Sequence, residues 1–337
     1  MEKSGKSHKR HHGPRGRRLA PLLAALDLGT NNCRLLIARP ARDGSLRIVD
    51  SFSRMVRLGE GAAQSGILSE AAIERTVEAL KVCAQHIKRH GVRRIRAIAT
   101  EACRSAGNAQ VLVDRVAEET GISLSIVTSA EEARLAAVGC APLISEDYDG
   151  ALAFDIGGGS TEVIWLRRTQ DTPSLVDFAS IPLGVMSLAE ADGNGTDRAA
   201  FAAMRAVMLE RLGAVRRAMD CKGAFDLARH HLLGTSGTVT TLAGVAMGLP
   251  RYVRARVDAT WHDCTTILSV VDMLVALDRK GRALLGCIGE ERADLILAGC
   301  AIFSAIRELW PCAQLRVADR GLREGILREL MAEAAAQ

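Results

Sequence analysis

The chain has 337 residues, 48% hydrophobic and 25% charged, the balance of a soluble globular protein with room for two domains of about 150 residues. Aromatic residues are only 3%, which excludes a base-stacking platform for single-stranded nucleic acid, and no apolar run approaches the roughly 20 residues that span a bilayer. Nine scattered cysteines, without a Cys-x-x-Cys pair or a Cys/His cluster, argue against a zinc module or disulfide framework and imply reduced thiols in a cytoplasm.

The net charge of +5 belongs to a tail. Residues 1–18 hold seven Lys and Arg against Glu2, more than the whole surplus, so the remainder is close to neutral. This stretch is rich in Lys, Arg, His, Gly and Ser and is expected to be disordered, either as a solvated appendage or as an auxiliary grip on a polyanion. Arg17 and Arg18 ahead of LAPLLAAL imitate an export signal. The apolar part stops at Asp27 after about eight residues without a small-x-small cleavage site, so export is not expected.

Residues 25–38, ALDLGTNNCRLLIA, read as strand, tight turn, strand. A further strand is expected over 46–56, then a Gly-rich turn over 59–66. Ser69 caps a helix with Ile73, Val77, Leu80, Ala84 and Ile87 on one face, closed by Gly91. A strand over 94–100 follows, and strand, helix, strand at this spacing is a crossover unit. Arg104 stands where that strand passes into the next helix, the edge at which open α/β sheets bind ligands; it is either a surface ion pair or a bidentate phosphate contact.

A helix over 109–120 ends at Gly121, and a strand over 122–127 delivers TSAEEARLAAVGC. Glu131 and Glu132 lie in the first turn of the next helix, where the macrodipole alone is sufficient reason for them. Neighbouring helix residues point about 100° apart, so only one of the two can face a cleft.

Residues 154–165, FDIGGGSTEVIW, repeat the first hairpin. Asp155 aligns with Asp27, Gly157 with Gly29 and Ser160 with Asn32, which implies an internal duplication. Each turn sets one carboxylate beside backbone and side-chain donors, an arrangement suited to a metal ion bridging to phosphate. Two such turns facing each other would clamp a phosphate chain through Gly29, Thr30, Asn31 and Asn32 on one side and Gly157, Gly158, Gly159, Ser160 and Thr161 on the other.

Residues 181–190 read as strand and turn, and Thr196 caps a long helix reaching about residue 219. A strand through Leu232 and Leu233 enters GTSGTVTTLAGV, where Gly234, Ser236, Gly237 and Thr238 form a third anion-friendly terminus or a close helix packing. His262 and Asp263 read as a helix start, since no later histidine exists to build a metal-dependent His-Asp site. Helices over 264–278 and 293–310, a strand over 315–318 and a final helix over 321–335 complete the chain.

Six segments, DLGTNNCRLLIA, TEACRSAGNA, SAEEARL, FDIGGGSTEV, LLGTSGTVTTLA and RVADRGLREGIL, stand in the order and context of the exopolyphosphatase/guanosine pentaphosphate phosphatase family, which the chain resembles over about residues 22–333. The resemblance implies an α/β fold of two ribonuclease-H-like lobes, as in actin, hexokinase and the Hsp70 ATPase. Lobe I would span 21–132, with the helix over 321–337 packing back on it, and lobe II 133–320, after the tail at 1–20. It also implies Mg²⁺ (or Mn²⁺) dependence and release of terminal phosphate from inorganic polyphosphate or from the alarmone pppGpp. Glu132 matches the family's catalytic glutamate, Arg104 its phosphate-contacting arginine, and Asp155 and Glu162 its metal-binding acids, with Asp27 a third candidate ligand. A homodimer is expected by similarity, and neither nucleic acid nor membrane is an expected partner.

Two departures are visible: Ser129 where the family often has Gly, and Asn32 in place of a common Ser. The chain ends where longer members continue into a helical extension, from which a short substrate channel is expected. Rival readings are a phosphotransferase moving phosphate to ADP and a non-catalytic sensor that closes on nucleotide or polyphosphate.

Overall fold

The computed structural model describes residues 20–169, 173–223 and 225–335, so the expected disorder of the tail lies outside the described residues. The first sheet grows from a hairpin of β1 (Leu23–Leu28) and β2 (Asn32–Pro40), with β3 (Leu46–Met55) on its outer edge. After α1 (Ala62–Ser65) and α2 (Glu70–Arg89) come β4 (Arg94–Ala99), α3 (Glu101–Ser105), α4 (Ala109–Thr120), β5 (Leu124–Ile126) and α5 (Ser129–Cys140). The strand order is β3-β2-β1-β4-β5. β1 is buried along its whole length because it is central, antiparallel to β2 and parallel to β4.

The second sheet repeats this plan. It contains β6 (Gly150–Ile156), β7 (Thr161–Arg167) and β8 (Ser174–Ile181), then α6 (Val185–Ala191), α7 (Arg198–Asp220), β9 (His230–Thr235), α8 (Ser236–Ala246) and α9 (Arg254–Val257). β10 (Trp261–Asp263), α10 (Cys264–Ala276), α11 (Arg279–Ala283), α12 (Gly289–Arg292), α13 (Ile296–Leu309), β11 (Gln314–Val317) and α14 (Leu322–Ala335) follow. Read from the far edge, β8-β7-β6-β9-β11 has the connectivity of the first sheet, with β10 added beyond it. The duplication expected from two similar hairpins therefore extends to both lobes, which share the ribonuclease-H-like strand order.

Several expectations need correction. Residues 181–190 are not strand and turn: β8 stops at Ile181, and α6 begins at Val185 with Gly184 N–H donating to Ser187 Oγ at 2.9 Å. The side chain that caps α7 is Asp197, accepting from Ala200 N–H at 2.8 Å, rather than Thr196. His262 and Asp263 belong to β10, which pairs antiparallel with β11, and the helix starts one residue later.

Helix α5 is shared between the lobes. Its Leu135 packs with Leu23, Ala25, Leu36 and Ile98 of the first sheet and with Ile326, Leu327 and Leu330 of α14. Its Ala133, Ala136 and Cys140 pack on Ala151, Ala153 and Ile164 of the second sheet. The boundary drawn at 132/133 falls inside this helix. Two glycines let α5 and α14 cross closely: a Cβ at Gly139 would lie 2.7 Å from the carbonyl carbon of Gly321, and one at Gly325 2.8 Å from that of Leu135.

Candidate active site

The two turns are built alike and touch. Gly29 N–H donates to Asn32 O at 2.9 Å, and Gly157 N–H donates to Ser160 O at 2.9 Å. A Cβ on Gly158 would sit 3.0 Å from Asn31 N and Cβ, and one on Gly159 2.6 Å from Thr30 Oγ1, so these glycines are required by the neighbouring turn. Neighbours occupy several turn acceptors: Asn31 O takes Val56 N–H at 2.8 Å, Gly157 O takes Val185 N–H at 2.9 Å and Gly158 O takes Met186 N–H at 2.8 Å. Carbonyls that would repel an anion are thereby engaged elsewhere.

Beside the turns lies a cavity of about 420 Å³. Of the residues singled out from the sequence, Asp27, Glu132, Asp155, Glu162 and residues 29–32, 157–160 and 236–238 line it. Three do not. The Thr161 hydroxyl is buried and donates to Leu183 O at 2.7 Å, holding the segment that leads into α6. Gly234 is a packing glycine, since its Cβ would lie 2.7 Å from Phe154 Cζ and from Val239 Cγ1. Arg104 sits behind the cavity wall, in ion pairs with Glu101 at 2.6 Å and Glu132 at 2.8 Å.

Local geometry separates the adjacent glutamates. Thr128 caps α5, its hydroxyl accepting from Glu131 N–H at 3.2 Å. Glu131 turns away to Arg96 at 2.7 Å and Arg134 at 2.8 Å, which hold its carboxyl below the usual range. Glu132, one position on, lines the cavity, and burial followed by repulsion from Glu162 raises its carboxyl well above the usual value, against the pull of Arg104.

The other acids are raised too, burial being the largest cause for each. Asp155 is pushed up to about 6, with Asp27 adding to the rise and Arg34 opposing it. Glu162, cross-strand from Asp155 and bonded by Ser180 Oγ at 2.8 Å, is pushed up to about 7, with Asp155 adding to the rise. Asp27 is raised as well, opposed by Arg34 and Arg323. Four desolvated carboxylates of one sign converge here. Among the described residues no three His, Cys, Asp or Glu side chains are grouped closely enough to hold a metal ion by themselves. Hard oxygen donors whose charge is only partly offset by Arg34, Arg104 and Arg323 nevertheless fit a divalent cation that keeps water and substrate phosphate in its shell, as Mg²⁺ does.

Sequence reasoning missed the cations of the cavity. Arg34 stands opposite Asp27 in the β1/β2 register, 3.9 Å from the Cβ position of Gly237 at the start of α8. Arg292 donates to Thr241 Oγ1 at 3.0 Å, and its charge is opposed by that of Arg34. Ser236, with φ of 92°, lines the same region, its hydroxyl oxygen buried without a partner among the described residues. Of these, only Arg34 carried a signal in the sequence, as the charge nearest the first turn in the strand that leaves it.

Residues 36–334 match the model of the Ppx/GppA phosphatase family. The chain belongs to the Ppx/GppA phosphatase family. It is similar to "Exopolyphosphatase 2" of Mycobacterium tuberculosis, 31% identical over 322 residues that cover 91% of this chain and 98% of the relative. A guanosine-5'-triphosphate,3'-diphosphate pyrophosphatase of Photobacterium profundum is 28% identical over 94% of this chain and 60% of its own length. Among solved structures, the Ppx/GppA member from Aquifex aeolicus aligns with a TM-score of 0.75 at 28% identity, covering 93% of this chain and 98% of that one. An exopolyphosphatase from Cytophaga hutchinsonii aligns with a TM-score of 0.81 at 25% identity, with coverages of 93% and 98%.

Proposed function

We propose that the protein is a Mg²⁺-dependent exopolyphosphatase, hydrolysing the terminal phosphoanhydride of inorganic polyphosphate to orthophosphate. The observation that carries this reading is one cavity bounded by both donor-rich turns and by the raised carboxylates Glu132, Asp155 and Glu162. Hydrolysis of a phosphoanhydride is chiefly a matter of placing a water in line and compensating charge on the equatorial oxygens. Residues 29–32 and 157–160 would hold the terminal phosphate, and Arg34, Arg292 and Ser236 the next phosphates along the chain. Glu132, one of whose oxygens faces away from Arg104, would orient the water and accept its proton. A divalent cation held by Asp155 and Glu162, with Asp27 opposite, would supply charge neutralisation on the phosphate oxygens.

A second reading is hydrolysis of pppGpp. It is favoured by Tyr252, Leu295 and Ile296, which give the cavity an apolar wall beside Arg292 where a nucleoside fits. Phosphate release measured side by side on polyphosphate, pppGpp and ATP, with Mg²⁺, Mn²⁺ or EDTA, separates these readings. The primary one requires polyphosphate to have the highest kcat/KM and EDTA to abolish turnover; if no substrate releases phosphate under any condition, the sensor reading replaces it.

A cytoplasmic setting is inferred from nine cysteines that form no disulfide. Among the described residues no helix is long and apolar enough to cross a membrane. A homodimer remains the family-based expectation for the assembly.

A further inference from the structure

We infer that Glu101 is a positioning residue for Glu132, acting through Arg104 by taking one edge of its guanidinium. The inference rests on Glu132 being the base proposed above. An arginine facing a lone carboxylate favours a two-pronged pairing in which both carboxylate oxygens are engaged. Such a pairing would take the syn lone pair of both oxygens of Glu132 and leave water only the less basic anti positions. The structure shows a different arrangement. Arg104 Nε and Nη2 donate to Glu101 Oε2 at 3.1 and 2.6 Å, so one edge of the fork is filled by Glu101. Nη1 then donates to Glu132 Oε2 at 2.8 Å and to Val127 O at 3.0 Å. Four of the five guanidinium N–H groups are thus committed. Glu132 is gripped by one oxygen only, and among the described residues nothing hydrogen-bonds its Oε1.

Glu101 is itself fixed. Ser105 Oγ donates to its Oε1, so each of its oxygens has a partner. The three side chains are mostly buried, at 17% exposure for Glu101, 19% for Arg104 and 13% for Glu132, so water competes weakly for these bonds. The backbone sets the spacing. Thr100 N–H donates to Leu28 O at 3.1 Å beside the first turn, and α3 then places Glu101 and Arg104 three residues apart on one face. Glu101 contributes nothing to the cavity wall, so its part in the reaction is confined to what it does to Arg104.

The test is a double-mutant cycle on the full chain, reading kcat and KM for phosphate release from polyphosphate in Mg²⁺, with thermal unfolding as a check on folding. In Glu101→Ala, Arg104 is free to close on both oxygens of Glu132, and kcat is expected to fall on the order of 10²-fold with KM little changed. Glu101→Gln keeps an acceptor in the same place, so its kcat should lie between those of Glu101→Ala and the parent; it carries the test if the alanine variant fails to fold. Because Glu101 acts through Arg104, the double variant Glu101→Ala/Arg104→Ala should lose no more than Arg104→Ala alone. Parent-like kcat in both Glu101 variants overturns the inference, as does a loss that adds fully to that of Arg104→Ala. Glu132→Gln run in parallel keeps the two levels apart: if it too turns over at the parent rate, the assignment of the base has failed, whereas its collapse beside normal Glu101 variants sinks only the role given to Glu101.

Discussion

Replacing Gly325 by Ala should damage both stability and turnover although position 325 touches no substrate. The new Cβ would stand 2.8 Å from the Leu135 carbonyl carbon, closer still to its oxygen, where ordinary contact begins at 3.4 Å. The obstacle is backbone, which cannot rotate aside as a side chain can, so α14 and α5 must part by at least about 0.6 Å at their crossing. Overpacking of this kind costs about 1–3 kcal/mol, and the better helix propensity of Ala returns only about 1 kcal/mol. The helices that separate carry the site: α5 bears Glu132 one turn before Leu135, and residues 320–324 at the start of α14 line the cavity. Displacements approaching 1 Å in a catalytic constellation cost about 10²-fold in rate, so a 10- to 10²-fold fall in kcat is expected together with a Tm lowered by a few degrees. Gly213 in α7 is the control, because its Cβ would meet nothing nearer than the flexible Arg217 Nη1 at 3.5 Å. Gly213→Ala should hold or raise Tm and leave kcat alone. Thermal unfolding and phosphate release on the two variants decide the matter: a Gly325→Ala protein indistinguishable from Gly213→Ala in both assays refutes the reasoning.

Other outcomes follow from the charges of the cavity. Asp155 and Glu162 have folded pKa values of about 6 and about 7, above their unfolded values, so their contribution to stability is full below about pH 4 and is lost as pH rises through 6 to 7. In EDTA, Tm should therefore decline over that window, Asp155→Asn should flatten the decline, and added Mg²⁺ should raise Tm more at pH 8 than at pH 5; a Tm indifferent to Mg²⁺ at pH 8 counts against the cation site. Arg292→Ala should raise KM by about 10- to 10²-fold through loss of a charge-assisted phosphate contact, and an unchanged KM would remove Arg292 from the binding set. Thr161→Val should lower stability by about 1–3 kcal/mol, since Leu183 O is left without its buried donor, while KM stays near the parent value. A large rise in KM in that variant would instead return Thr161 to the phosphate site.

How far the sequence could be read depended on how local each signal was. The paired hairpins were legible because alternation and glycine turns are properties of neighbouring residues; they gave the duplication and the two facing turns, whereas the two lobes and the places of Glu132 and Glu162 came from the family resemblance. Helix α6 was not, because its first N–H groups are satisfied by Gly157 and Gly158 carbonyls nearly thirty residues earlier. Strand β10 exists only through its pairing with β11, about fifty residues on. Arg104 stands at the sheet edge expected from the sequence, yet its partner Glu101, three residues away, takes its Nε and Nη2 donors behind the cavity wall. Arg292 and Arg34 converge from different lobes, a juxtaposition that no one-dimensional pattern contains.

The central claim is that Glu132 activates the water while the two turns hold the phosphate. Its most direct test is orthophosphate release from polyphosphate in Mg²⁺ by the parent and by Glu132→Gln, with polyphosphate binding measured on the same samples. A fall of about 10²- to 10⁴-fold in rate with binding preserved is the expected result. Turnover by Glu132→Gln at the parent rate would contradict it.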